Sequence, residues 1–242
     1  MKIFKKTSIN LILFLFLLTS STNVFAAAGP AKKYINTVYA MMLCETGSSL
    51  TGGSPNCLNP LVVRKTPAGV DMDIGSVDAG AVAGSYGNLN VVPIGTTFTH
   101  AQVVLSRTFK VAGTIGSCQT SSTGAAGTDS AYAAGESGTT GDELQIVKVR
   151  THTGGATHMN SSAHRDETIT GDSSDGEVDA GDDYIKFRWA LTKPFTFTGS
   201  RMPSMTISFD MSSAIEFYGS CGTGDASSGA GPGVPVVSST IK

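Results

Sequence analysis

Residues 96–113 read TTFTHAQVVLSRTFKVAG. Their apolar side chains alternate with polar ones or run in short blocks, and no 3.6-residue period appears. That is the signature of a β-strand. The same pattern recurs outward in both directions. On the N-terminal side, residues 33–44 (KYINTVYAMMLC) carry β-formers on both faces. Strict alternation places Ile35, Thr37, Tyr39, Met41 and Leu43 on one face and Tyr34, Val38, Ala40 and Met42 on the other. A strand apolar on both faces is buried on two sides or covered by a partner. Segments 60–65 and 69–78 are shorter strands, with Pro67-Ala68-Gly69 predicted to turn the chain between them.

On the C-terminal side, strands are expected at 143–151, 184–192, 194–199, 204–211 and 213–219, with a last edge strand at 234–241. In YIKFRWAL, Trp189 alternates with Phe187 and Ile185 and is assigned to the core, the alternative being a sugar-stacking platform. Lys186 and Arg188 share the opposite face and are expected in solvent. Nine or ten such strands with turn residues between them predict a single all-β domain over 27–242, an antiparallel β-sandwich. Two long polar loop insertions interrupt it. Residues 119–142 are rich in Gly, Ser, Thr and Ala, and residues 152–183 carry clustered His and acids. Loops this long are often functional.

The run Pro93-Ile94-Gly95-Thr96-Thr97-Phe98, continuing to Leu105, resembles the Pro-x-Gly-Thr-Tyr strand entry of prealbumin-like β-sandwich modules in secreted bacterial surface proteins. It covers 13 residues, and an extra Thr separates Gly95-Thr96 from the aromatic. The resemblance implies a sandwich of immunoglobulin-like or prealbumin-like type in a structural or adhesive setting. It transfers no catalytic residue.

Residues 1–26 read as a secretory signal peptide. Lys2, Lys5 and Lys6 form the basic region, Ile9–Leu18 the apolar region, and Val24-Phe25-Ala26 the cleavage site. A membrane span needs about 20 apolar residues, so a retained anchor is the weaker alternative and no membrane span is expected after cleavage. The predicted location is exported: periplasm, cell surface or extracellular space. Loss of the three lysines and no acid takes the net charge from −2 to −5. Charged residues make up 15% of the chain, against about 25% in ordinary domains. A nucleic-acid partner is excluded, because its electrostatic footprint is a Lys/Arg surplus.

All four cysteines, Cys44, Cys57, Cys118 and Cys221, lie beyond residue 26. An even count in an exported chain predicts two disulfides, and four cysteines allow three connectivities. Cys44–Cys57 is favoured because the polar segment between them is a loop that a bridge would close; Cys118 and Cys221, both in Gly-Ser-Cys, then pair across the fold. The rival, a metal site, lacks the C-x-x-C spacing that zinc uses.

Two clusters suggest ligands. Asp172, Asp175, Glu177, Asp179, Asp182 and Asp183 alternate with glycines and form a candidate calcium loop. Calcium takes six to eight oxygens on such turns. The spacing is not the EF-hand pattern, and a solvated acidic loop is the alternative. His152, His158 and His164 are a second candidate, for a transition metal. Six residues of extended strand separate neighbours by about 20 Å, so the segment would have to fold back; surface histidines are the alternative. No cofactor is required, and calcium is the one candidate.

Catalytic motifs are not found. Gly171-Asp172-Ser173-Ser174 lacks the second glycine of the serine-protease run, and neither a nucleophile elbow nor a phosphate loop occurs. No catalytic residue is assigned and no enzyme is expected. Ser and Thr total 56 residues; with low charge and predicted disulfides, they point to a structural or adhesive surface protein, such as a filament or matrix subunit. Strand 33–44 suggests a route to homo-oligomers, by adding to a neighbour's sheet, unless it is the first strand of its own domain. The alternative function is an envelope module binding calcium or glycan.

Overall fold

The computed structural model describes residues 27–50, 57–75, 89, 92–122, 127, 141–149, 159–162, 183–199, 203–219 and 229–241. The predicted signal peptide, 1–26, lies outside them. The described chain is all-β, with several antiparallel sheets and no helix.

The main sheet is built on two long strands, β2 (Lys33–Glu45) and β4 (Thr97–Ala112), which run antiparallel side by side. β3 (Leu61–Asp73) pairs with the other edge of β2. β9 (Tyr184–Thr196) pairs with β4, and β8 (Met159–Ser162) adds to β9. Both edges of β2 are therefore taken within its own chain. This corrects the expectation of assembly through strand 33–44: the strand is intrinsic and has no edge to offer a second copy.

Strict alternation along β2 also fails. A bulge between Val38 and Ala40 inserts a residue out of step, and a bulge turns every later side chain to the other face. Tyr34, Asn36 and Val38 thus share a cavity wall with Met41, while Tyr39 packs with Ala40 and Met42 on the far side. In β3, Pro67-Ala68-Gly69 does not end the strand, but it interrupts the ladder: the pairing jumps from Val38–Val70 to Ala40–Lys65, so residues 66–69 bulge opposite Tyr39. Gly69 sits in this bulge at φ 74°, where a glycine meets no Cβ penalty. Likewise Lys193-Pro194 does not end β9, but residues 191–194 bulge opposite Thr99. The expected loop at 152–183 contributes β8.

Among the described residues, three small sheets accompany the main one. β1 (Ala27–Gly29), β11 (Ile215–Tyr218) and β12 (Gly229–Pro232) form one, in the order β1-β11-β12. β5 (Thr114–Ile115) pairs with β6 (Cys118–Gln119). β10 (Met205–Asp210) pairs with β13 (Val236–Ile241) and packs on the main sheet through Met205, Ile207, Val237 and Ile241. The core has two principal parts. Around Phe98, Trp189 and Leu191, the β10–β13 pair covers the sheet. Around Phe109, Val111 and Val147, the β1-β11-β12 sheet supplies Ile215 and Phe217.

Candidate functional site

A polar row crosses one face of the main sheet. Met42, Gln102 and Arg188 are register partners on β2, β4 and β9. Arg188 Nε donates to Gln102 Oε1 at 2.9 Å, a second guanidinium nitrogen donates to the same oxygen, and a third donates to the Ser49 carbonyl at 3.0 Å. Gln102 Nε2 in turn donates to Met42 Sδ at 3.7 Å. The expectation that Lys186 and Arg188 are solvated is corrected: they are 1% and 3% exposed. Alternation identified their face, but that face is covered too. A buried charge persists only when hydrogen-bonded or paired, and the Ser49 carbonyl comes from the loop that the Cys44–Cys57 disulfide closes. His100, the next polar residue on this face of β4, has its pKa lowered by burial and by the charge of Arg188.

The second polar feature is a seam in β4. Thr97–Ser106 pair with β9, whereas Thr108–Val111 pair with β7 (Gln145–Lys148). Arg107 stands at the switch, 1% exposed. Its amide donates to Asp183 O at 2.9 Å, ahead of β9, and its carbonyl accepts from Val149 N at 3.0 Å, just past β7. Its Nε donates to Val149 O at 2.6 Å. On the opposite edge, β2 and β4 fall out of step between Asn36 and Val38. There the Asn36 side-chain amide donates to the Ser106 and Thr108 carbonyls at 2.9 and 3.3 Å. Asn36 and Arg107 thus supply hydrogen bonds where the ladder is interrupted.

Between the main sheet and the β10–β13 pair lies a cavity of about 380 Å³. Val103, Leu105, Phe187 and Trp189 form the wall on the sheet side, and Ile207 and Val237 face them. The Phe187 and Trp189 rings lie 5.8 Å apart. The polar ends of two aromatic lining residues are already bonded: Trp189 Nε1 donates to Ser239 Oγ at 2.8 Å, and Tyr34 Oη to Gly233 O at 2.8 Å. Burial, then the charge of Glu216, raises the Tyr34 pKa far above its ordinary value, so the phenol stays protonated. Asn36 differs. It lines the cavity at 7% exposure, and its Oδ1 accepts no hydrogen bond. Such a buried acceptor costs about 1–3 kcal/mol if left unmet. Asn36 stood in the sequence as a polar residue between apolar Tyr34 and Val38, a signal that strand patterning alone passes over.

The predicted ligand clusters lie mostly outside the described residues. Of the acidic candidates only Asp183 is described, and its carbonyl is spent on Arg107. Asp172, Asp175, Glu177, Asp179 and Asp182, with His152, His158 and His164, lie outside the described residues. Among the described residues no group of three or more His, Cys, Asp or Glu gathers as a metal site. The Cys44–Cys57 bridge is present, with Cα atoms 5.0 Å apart. Cys118 is disulfide-bonded as well; Cys221, its predicted partner, lies outside the described residues.

No protein-family model matches the chain, and no curated protein or solved structure matches it.

Proposed function

We propose that the chain is an exported protein of the cell surface or its surroundings, with a structural or adhesive rather than a catalytic role. The observation that carries this reading is the Cys44–Cys57 disulfide, which closes a loop over the main sheet. Persistent disulfides belong to oxidising compartments. Among the described residues no helix is long and apolar enough to cross a membrane. Support for the structural role comes from where described charges bond. Arg188, Arg107, the Lys33–Asp73 pair and the Lys110–Asp71 pair all act within the fold.

The test is fractionation of cells producing the full chain, with mass spectrometry of its N-terminus and thiol alkylation. The expected product starts at Ala27, is exported, and leaves Cys44 and Cys57 unalkylated. A cytoplasmic product retaining Met1, with both thiols reactive, overturns export. Surface attachment unchanged in cells lacking the protein, together with no assembly by light scattering, overturns the structural or adhesive role.

A further inference from the structure

We propose that the fold gates its own proteolytic processing: docking of β1 on β11 closes the bond between Ala26 and Ala27 to a signal peptidase, so cleavage has to precede completion of the β1-β11-β12 sheet. The inference rests on the export reading above. That reading places the cleaved bond directly before Ala27, and Ala27 is the first residue of β1. Ala27 pairs with Phe217, Ala28 with Glu216 and Gly29 with Ile215. The bond therefore adjoins the sheet directly. A cleft that holds a peptide extended uses the same main-chain groups as a neighbouring strand. Each residue carries one main-chain donor and one acceptor, so β11 and a peptidase compete for β1. Fraying of the two exposed alanines does not resolve the contest, because the chain is fastened from Gly29 onward. Gly29 is buried, and a Cβ built on it would lie 2.9 Å from Ile115 Cγ1 and Cδ1. Ala31 is buried in one core cluster with Ile215 and Phe217. Lys32 N donates to the Ala112 carbonyl at 2.8 Å, and Lys32 Nζ reaches Asp142 at 2.7 Å. A peptidase obtains an extended segment beyond the bond only when β1 as a whole leaves the sheet.

The experiment uses the full chain, purified with residues 1–26 retained, refolded with its disulfides in detergent and given a type I signal peptidase. Mass spectrometry follows the appearance of a product starting at Ala27. Two variants are compared with the unmodified precursor, each with a native circular dichroism spectrum. Gly-Ser-Gly-Ser inserted between Ala28 and Gly29 moves the bond off the sheet. Gly29→Val crowds Ile115 and loosens β1. Both leave Val24 and Ala26, the residues that the peptidase reads, in place. Each variant is expected to be cut about tenfold faster than the unmodified precursor, since cleavage follows the population of the open form. Equal rates in all three, each cut at Ala27, overturn the gate and leave the export reading standing. No cleavage at Ala27 in any of them overturns the signal peptide and the gate with it. Faster cleavage of the insertion variant alone assigns the protection to crowding by the domain rather than to β1, and also overturns the proposal.

Discussion

Arg107 Nε donates to the carbonyl of Val149 at 2.6 Å, at the point where β4 leaves one neighbour and takes another. Strands β7 and β9 share one edge of β4, and Arg107 bonds beside both. Replacing Arg107 with Met should cost about 1.5–3 kcal/mol, the range for hydrogen bonds to charged groups. The urea midpoint should fall with the slope unchanged, and exchange at the Val149 amide should quicken. Lysine should not rescue, because it lacks a planar Nε.

Ser239→Ala removes the acceptor of the buried Trp189 indole. A loss of about 1–3 kcal/mol is expected, with a shifted Trp189 emission, since the bond ties β13 to the main sheet. Ser239→Thr, which keeps the hydroxyl, should retain most of the stability in the same urea titration.

Gly69→Ala should destabilise by about 1–3 kcal/mol, the cost of a non-glycine residue held at positive φ. The added Cβ would also overlap Thr37 Cγ2 and the Tyr39 ring. Thr37→Ser in the Gly69→Ala background removes that methyl and keeps the hydroxyl that bonds Asp71 at 2.6 Å. Partial recovery of the melting temperature is the expected result.

His100 makes stability pH-dependent. Its folded pKa lies below the ordinary 6.5, so the unfolded chain binds more protons as pH falls through that value. Stability is then full above 6.5 and declines below it. Asp71 and Asp73 have the opposite chemistry. Thr37 and Lys110 lower Asp71, and bonds from Lys33 and Tyr34 lower Asp73 against the effect of burial. Their contribution is lost only as pH falls below about 4. Melting curves of His100→Gln against the unmodified protein should therefore converge on acidification from pH 7 to pH 5.

Replacing Cys44 and Cys57 together with Ala should cost about 3 kcal/mol by the loop-entropy model. The bridge spans 13 residues. The loss should appear as a lower melting temperature than that of the unmodified protein, both measured without reductant so that the bridge at Cys118 stays intact.

The strands were largely legible. Residues 33–44 and 96–113 appear as β2 and β4, and the Cys44–Cys57 pairing follows from the polar loop between them. Two predicted breaks, at Pro67-Ala68-Gly69 and Lys193-Pro194, interrupt the ladder as bulges without ending their strands. Proline is tolerated at edges and bulges, and local sequence does not say where an edge or bulge lies. The burial of Arg188 was illegible for a different reason: its cover comes from Ser49, 139 residues away. Alternation reports two faces but not what lies over each. The cavity depends on how the β10–β13 pair seats against the sheet, which no local pattern encodes.

The bond from Arg188 to Ser49 makes the disulfide a brace for a buried charge as well as a loop closure. The loop carrying that carbonyl is also held by bonds from Thr46 N to Thr97 O and from Leu58 N to Ser48 Oγ, and Arg188 keeps its bonds to Gln102. The bridge narrows the loop's freedom further, and a buried charge that loses a partner is costly. Reduction would therefore be felt first at Arg188, before the sheet beneath it parts.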